Sequence, residues 1–277
     1  MPGSGRARRH DPAPATPGIP FEHPAFRVYA RWRGPHADTA LPDLALLNAW
    51  ARESSLRLPG GTPLSFVPPP SAPPCALDYE RRIAATGEIV TRPGDLHDAC
   101  NALVWLTFPR TKAALNAIHV ASGRARTGSG RDRCRDAATL ADESGMLVAC
   151  ADAELLGLWD ARRWREAFWD RRDAARRSMR AVAIGHGLLA KLVAPYRQIT
   201  GKALVLPVDA AALPGGGPPL AAALDAAAAA RIGAHGARFA PGHLLPLPVA
   251  ALPGWDSEEL GARLFDDAAA FRPRVLR

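Results

Sequence analysis

Cysteine is scarce in this chain, and its four copies are scattered. They form no C-x-x-C pair and stand at Cys75, Cys100, Cys134 and Cys150. This spacing excludes a disulfide framework of the secreted type and a zinc site built from paired cysteines. The sequence also lacks a run of about 18 apolar residues, which excludes a transmembrane helix. No apolar segment follows the basic N-terminus, as it would in a signal peptide. These absences predict a cytoplasmic protein that does not enter a membrane.

Lysine is scarcer than cysteine. Only three of the 35 Lys and Arg residues are lysine, so arginine carries nearly all of the formal net charge of +8. So strong a preference for arginine, beside abundant Ala, Gly and Pro, is typical of a genome-wide coding bias. A basic protein, here with a pI of about 10.0, would otherwise favour a polyanionic partner. We therefore discount nucleic acid as a partner predicted from charge alone.

The remaining composition predicts a globular protein. Hydrophobic residues make up 48% of the 277 residues, which is enough for a sizeable core. Residues 1–20 are rich in Pro, Gly and Arg and predict a disordered tail. Residues 21–277 predict a single globular domain that contains a Pro/Gly linker near 214–219.

Hydrophobic periodicity predicts more helix than strand. The predicted helices cover about 41–54, 78–86, 96–107, 110–122, 152–158, 162–179, 181–193 and an alanine-rich segment that ends near 232. The predicted strands cover 64–67, 87–91, 146–150 and 203–208, with an acidic turn before the third and little regular structure after 232. Helices and strands do not alternate regularly. The predicted fold class is therefore α+β, a helix-dominated single compact domain with a few short strands.

Residues 97–119 concentrate rare polar residues in an apolar setting. Lys112, Asn116 and His119 fall at i, i+4 and i+7 of one predicted helix and share a face. The rest of that helix is Ala, Leu, Ile and Val, so we expect it to be buried nearly all round. Polar groups are costly to bury without partners, which indicates either a specific polar site or a structural hydrogen-bond network.

The preceding predicted helix carries a second polar stripe. His97 and Asn101 lie one turn apart, Asp98 stands beside them, and the Phe108-Pro109 break separates the two helices. If the two stripes meet across this break, they form a pocket that binds a polar substrate and moves protons. The alternative is that these side chains only bridge backbone groups that the break leaves without partners.

Asp142 and Glu143 are the next candidates, because they precede a predicted strand. Carboxylates at such an edge can bind a metal ion or act as a base, or they can cap a helix and pair with arginine. With His97 and His119 they offer ligands for a divalent metal ion, although no H-x-x-x-H or H-E-x-x-H spacing supports one.

Two further polar residues stand in apolar surroundings. His186 lies between Gly185 and Gly187, which would let backbone approach closely, and it is either a ligand-binding group or a satisfied core histidine. Lys202 precedes a predicted strand in ITGKAL, which is not a phosphate loop, and is a candidate anion contact.

The segment 124–135 is a predicted arginine-rich loop around Cys134. Its arginines would favour the Cys134 thiolate or bind phosphate or nucleic acid, or the loop is simply solvated. The predicted helix 162–179 is also basic, and its Trp164 and Phe168 predict an ordinary core-facing stripe.

Several of these segments occur together in a known family. The chain contains, in this order, HDACNALVWLTFPRTKAALNAIH, RDAATLADESG, GHGLLAKLVAPY, ITGKAL, LPLPVAALPGW and FDDAAAFRP. It thereby resembles an uncharacterised proteobacterial family, the domain of unknown function 3025, over roughly residues 22–273. Bulky residues are usual in that family where Ala99-Cys100 and Ala141 stand here, which implies local repacking. The resemblance implies one domain and a bacterial cytoplasmic setting, and it brings no mechanism.

The leading hypothesis is an enzyme or small-ligand binder that acts on a polar or anionic small molecule, with hydrolysis as the default reaction. In this hypothesis His97 or His119 is the acid–base group, and Asp142 or Glu143 is its partner carboxylate. Asn101 and Asn116 donate hydrogen bonds that orient the substrate, and Lys112 and Lys202 contact its anionic group. Asp98 and His186 are further ligand-binding residues. One alternative is a nucleic-acid-binding protein that uses the 124–135 loop and the 162–179 helix. The other is a structural or partner-binding protein with a polar network in its core.

Overall fold

A computed structural model describes residues 18–37, 39–72, 75–124, 132–213, 217–255 and 261–271. Within these ranges the fold is a helix-dominated α+β fold. The helices are α1 (Leu44–Glu53), α2 (Ala76–Thr86), α3 (Leu96–Thr107), α4 (Pro109–Arg124), α5 (Arg133–Ser144), α6 (Ala153–Asp160), α7 (Arg172–Ser178), α8 (His186–Leu192) and α9 (Gly217–His235). None of the helices in these ranges combines the length and the apolar character that a membrane crossing needs.

The strands form two separate sheets. They are β1 (Ser65–Val67), β2 (Glu88–Val90), β3 (Gly145–Cys150), β4 (Met179–Ala183), β5 (Thr200–Pro207) and β6 (Leu244–Pro248). β1 and β2 pair in parallel, and the larger sheet has the order β4-β3-β5-β6. β3 pairs in parallel with β5 and antiparallel with β4, and all six of its residues are buried. The centre of this sheet is therefore part of the core.

The predicted break between α3 and α4 is confirmed. α3 ends at Thr107, and α4 begins at Pro109. Proline is tolerated at this first position, because the N–H that it lacks would have no acceptor within the helix. The next two backbone N–H groups, of Arg110 and Thr111, donate to the carboxylate of Asp225 in α9 at 3.1 and 2.8 Å. A side chain from a distant helix thus caps α4 and fixes its start.

The end of α5 leads directly into the larger sheet. Gly145 follows Ser144 without a loop, and a Cβ atom at Gly145 would overlap the carbonyl oxygen of Ala141. The carbonyl oxygen of Gly145 accepts from the backbone N–H groups of Ile184 and Gly185, both at 2.9 Å. These bonds hold the start of α8 against the end of α5. α4 packs against α2, α5 and α9, and α3 packs against α8.

The structure corrects two predicted segments in the middle of the chain. The predicted helix 181–193 is wrong in its first half, because residues 179–183 form β4 and the helix starts at His186. A short apolar run fits a buried strand as well as a helix. The predicted acidic turn before β3 is also wrong, because the acidic residues belong to the last turn of α5.

Three other predictions need correction. The predicted helix 162–179 is interrupted by a π-helical turn, Glu166–Asp170, and ends at Ser178. The segment after residue 232 contains β6, which pairs with β5. Residues 217–219 of the predicted linker are not a linker, because they begin α9. Residues 214–216 of the linker and residues 1–17 of the predicted tail lie outside the described ranges.

Candidate functional site

The polar stripe of α4 contains one half of a buried ion pair. Lys112 of α4 is 4% exposed, and its Nζ binds the Asp142 carboxylate of α5. The same ammonium lies 5.3 Å from the ring centroid of Trp105, which follows Asn101 by one turn on α3. The expectation that α4 is buried nearly all round is wrong, because Ala117 is exposed.

Asn101 and Asn116 attach α2 to the two stripes. Asn116 Nδ2 donates to the backbone carbonyl of Glu80 at 2.9 Å and to its carboxylate at 2.6 Å. Asn101 Nδ2 donates to the hydroxyl of Tyr79 at 3.2 Å. Both amide groups of these asparagines are thus bound to α2. Sequence reasoning missed Tyr79 and Glu80, although Tyr79 is one of only three tyrosines.

A cleft of about 250 Å³ lies between α2, α4 and α5. The residues that line it are Ala76, Leu77, Glu80, His119, Arg135, Thr139, Asp142 and Glu143. It therefore contains three of the four residues predicted as catalytic, and it adds Glu80 and Arg135.

The two carboxyl groups of Glu80 and Asp142 differ in their electrostatic surroundings. Burial raises the pKa of Glu80 above its usual value, although the hydrogen bond from Asn116 opposes this. Burial acts in the same direction on Asp142, but the positive charges of Lys112 and His186 hold its pKa below the usual value. Burial also lowers the pKa of His119, which favours a neutral imidazole at neutral pH.

A second group of side chains lies beside the cleft. His97 at the start of α3, Glu143 in the last turn of α5 and His186 at the start of α8 converge. Nε2 of His97 lies 3.4 Å from one oxygen of the Glu143 carboxylate, and Nε2 of His186 lies 3.4 Å from the other. The carboxylates of Asp98 and Glu143 raise the pKa of His97 to about 9, and the two histidines lower the pKa of Glu143.

Each histidine has a second carboxylate on its other side. Nδ1 of His97 lies 3.6 Å from Asp98, whose two oxygens bind Arg92 at 2.8 Å each. Nδ1 of His186 lies 3.7 Å from Asp142. Asp98 thus faces His97 and Arg92 and does not line the cleft, unlike Asp142.

Gly185 and Gly187 let the start of α8 pack closely against the end of α5. A Cβ atom at Gly185 would overlap the backbone of Ser144 and Gly145, and one at Gly187 would overlap the carboxylate of Glu143. The prediction that the glycines beside His186 allow close backbone approach is confirmed. His186 itself is 6% exposed, and its Nδ1 has no hydrogen-bond partner among the described residues.

The comparison with protein families identifies the chain. Residues 64–275 match the family described as Protein of unknown function (DUF3025). The chain belongs to the DUF3025 family. No curated protein and no solved structure matches it.

Lys202 of this DUF3025 chain lies apart from the cleft, and of the described residues of the 124–135 segment Arg135 alone lines it. Lys202 of β5 is paired with Gly145 in the sheet, does not line the cleft and has no ion-pair partner among the described residues. Of the 124–135 loop, residues 125–131 lie outside the described ranges, and Arg133 to Arg135 begin α5. Burial raises the pKa of the Cys134 thiol, which disfavours the alternative in which nearby arginines favour its thiolate.

The basic segment 162–179 has the core-facing stripe that its pattern predicts. Trp164 and Phe168 are buried, and their rings stack on each other. Several of its arginines form ion pairs with nearby acids, namely Arg163 with Glu166, Arg171 with Glu154 and Arg176 with Asp173. These aromatic rings do not offer an exposed stacking surface to a nucleic acid.

Proposed function

We propose that this DUF3025 chain is an enzyme that binds a polar small molecule in the cleft between α2, α4 and α5 and hydrolyses it by acid–base catalysis. The observation that carries the proposal is that Glu80 and Asp142 line the same cleft with different partners, an amide of Asn116 for Glu80 and the ammonium of Lys112 for Asp142. These surroundings move the two pKa values in opposite directions. A pair of titratable groups with pKa values moved apart is typical of a general acid and its complementary base.

The remaining cleft residues complete these roles. Glu80 retains its proton to higher pH than an ordinary glutamate and is the proposed general acid. His119 is the proposed base, because burial favours its neutral form, which can accept a proton from water. Asp142 stays ionised beside Lys112 and would stabilise positive charge that develops on His119.

The charges of the cleft narrow the class of ligand. Of the described residues that line it, Arg135 alone carries a fixed positive charge, while Glu80, Asp142 and Glu143 are acidic. The ammonium of Lys112 is already bound to Asp142. These charges support a polar ligand with at most one anionic group, which would bind Arg135. A more strongly anionic ligand would have been favoured if Lys112 and Lys202 were both free to bind it in the cleft.

A ligand screen tests the proposal. The melting temperature of the purified chain would be measured against a panel of polar metabolites, together with His119→Gln, Glu80→Gln and the exposed control His36→Gln. A ligand of the native state must raise the melting temperature. We expect a shift that both cleft variants reduce and the control retains. No shift with any compound, or a shift that neither cleft variant changes, would contradict the proposal.

The structural alternative has one observation in its favour, the bonds from Asn101 and Asn116 to α2. If the polar stripe is only structural, His119→Ala should destabilise the fold by about 1–3 kcal/mol, the cost of leaving buried groups unpaired. If the cleft is functional, that variant should stay folded and lose ligand binding. The described residues contain no observation that favours the nucleic-acid alternative over the cleft. We also propose that the chain is a bacterial protein located in the cytoplasm. The four free cysteines support the cytoplasmic location, because thiols stay reduced there.

A further inference from the structure

The convergence of His97, Glu143 and His186 has a spacing that suits a shared ion. Both imidazole-to-carboxylate distances are 3.4 Å, which is longer than the 2.7–3.2 Å typical of an N–H···O hydrogen bond. The two distances end on different oxygens of Glu143, and each is close to the roughly 3.3–3.6 Å that separates two atoms about 2.0–2.2 Å from one ion at a tetrahedral angle. One ligand atom from each of the three side chains lies within 4.8 Å of the others. We propose that these three side chains bind a divalent transition-metal ion.

The outer contacts of both histidines fit metal ligation. A ligating imidazole nitrogen leaves the other nitrogen to carry a proton, and that N–H is usually directed at a carboxylate. Here Nδ1 of His97 faces Asp98, and Nδ1 of His186 faces Asp142. The two imidazoles come from different helices, yet both direct Nε2 at Glu143 and Nδ1 at an aspartate. This repeated orientation is the pattern expected for a pair of metal ligands.

The charge balance also favours a cation at this position. The outer carboxylates already have their own cations, because Asp98 binds Arg92 and Asp142 binds Lys112. Glu143 pairs only with the two histidines among the described residues. Imidazoles ligate in their neutral form, so in the metal-bound state a divalent cation would supply the positive charge that protonated histidine otherwise places beside Glu143.

The ligand types decide the class of metal. Two imidazoles and one carboxylate suit Zn²⁺ or Fe²⁺, whereas Mg²⁺ and Ca²⁺ prefer oxygen ligands. Three protein ligands leave a position for water or substrate, as in catalytic metal sites. A neighbouring group also has one ligand atom from each of three side chains within 4.8 Å of the others, and it consists of Asp95, His97 and Asp98. It is excluded as a site because the guanidinium of Arg92 binds both of its carboxylates.

The site opens toward solvent and the cleft. The side chains of His97 and Glu143 are 42% and 46% exposed, and Glu143 also lines the cleft. Metal binding itself requires only the three side chains. A part for the ion in hydrolysis rests on the function proposed above, since the ion would then activate water at the edge of the cleft.

Calorimetric titration of the chelator-treated full chain with Zn²⁺ alone tests the metal site, with Mg²⁺ as the comparison ion. The variants are His97→Ala and Glu143→Gln, both at half-exposed positions, and the control is the exposed His36→Ala. We expect one equivalent of Zn²⁺ on the parent chain and much weaker binding of Mg²⁺. Loss of a residue that only hydrogen-bonds to a metal ligand lowers metal affinity roughly 10- to 100-fold. Each of the two variants removes a ligand itself, so its affinity for Zn²⁺ should fall by more than this. Circular dichroism would confirm that the variants are folded.

Titration with Co²⁺ provides a second measurement, because its visible absorption reports coordination by the protein. The bands should appear on the parent chain and on His36→Ala and be lost in both ligand variants. The proposal is overturned if the parent binds no Zn²⁺, if both ligand variants bind it as tightly as the parent, or if the control loses it equally. The titration uses no substrate, so it is independent of the ligand screen, and either proposal can fail alone.

Discussion

The imidazole rings of His97 and His186 lie edge to face, with their centroids 4.4 Å apart. One ring belongs to the first turn of α3 and the other to the first residue of α8, and several helices and two strands separate them in the chain. Their approach depends on the packing of α3 against α8 and on the bonds that hold the start of α8 against Gly145. The relative position of these elements therefore decides the geometry of the proposed metal site.

The variant Gly187→Ala should weaken metal binding without removing a ligand. An added Cβ atom would overlap the carboxylate of Glu143, which is half-exposed and can swing away. It would also lie 3.1 Å from the carbonyl oxygen of Glu143, so the backbone must shift by a few tenths of an ångström. We expect Zn²⁺ affinity to fall about 10- to 100-fold, as for changes that misplace a ligand. Calorimetry gives the affinity, and thermal unfolding of the metal-free chain gives the stability.

The matched control for this variant is Gly233→Ala in α9. A Cβ atom there meets nothing within 4 Å, so the change should stabilise the helix by about 0.5–1 kcal/mol and leave Zn²⁺ affinity unchanged. Unaltered affinity in Gly187→Ala would show that the position of Glu143 does not matter for the ion.

Local chemistry was sufficient to predict the break at Phe108-Pro109 and the polar character of the faces that flank it. Proline ends a helix for reasons confined to a few residues. A lone lysine in an alanine- and leucine-rich helix requires a partner, and Lys112 finds it in Asp142, another residue predicted for the site. The sequence also identified His186 and its flanking glycines, because their surroundings are unusual.

The sequence could not predict which of these residues meet. The convergence of His97 with His186 depends on β4. Four of the five residues of β4 are apolar, and so short a segment fits either helix or strand. Pairing with β3 decides between them, and that contact is not local. The sequence pattern predicts a turn at Glu143, whereas its position in the last turn of α5 directs its carboxylate toward both histidines. Glu80 was missed because a glutamate on an amphipathic helix is ordinarily solvated.

Removal of Asp142 should destabilise the fold strongly. Asp142→Asn leaves the ammonium of Lys112 buried without its counter-charge, and breaking a buried ion pair in this way costs about 3–5 kcal/mol. The double variant Lys112→Met/Asp142→Asn should recover most of this loss, because it removes the isolated charge. Urea unfolding followed by tryptophan fluorescence gives both values.

An exposed ion pair provides the comparison for this prediction. Arg163 and Glu166 form a pair whose side chains are 57% and 43% exposed, so Glu166→Gln should cost less than about 1 kcal/mol. Equal costs for Asp142→Asn and Glu166→Gln would mean that Asp142 and Lys112 are well solvated, contrary to the structure.

Removal of the Asp225 carboxylate should loosen the start of α4. Asp225→Ala deprives the backbone N–H groups of Arg110 and Thr111 of their acceptor, and Thr111 is fully buried. We expect a loss of about 2–3 kcal/mol in the free energy of unfolding. Asp43→Ala, which removes an exposed cap from α1, should cost about 1 kcal/mol. Denaturant unfolding of the two variants tests the difference, and a smaller loss for Asp225→Ala than for Asp43→Ala would refute it.

The buried environment of His119 should make stability depend on pH. Burial lowers its pKa in the folded chain below the value of about 6.5 that it has when unfolded. The unfolded chain therefore binds more protons between these two values, and stability rises with pH through that window. The contribution is complete above about pH 6.5 and is lost as the pH falls through the lowered value. We expect the difference in unfolding free energy between the parent and His119→Gln to follow this course. The raised pKa of His97 is present in both chains and cancels in the difference. A difference that is constant from about pH 5 to pH 7, or that falls as the pH rises, would show that partial burial does not lower the pKa of His119 in solution.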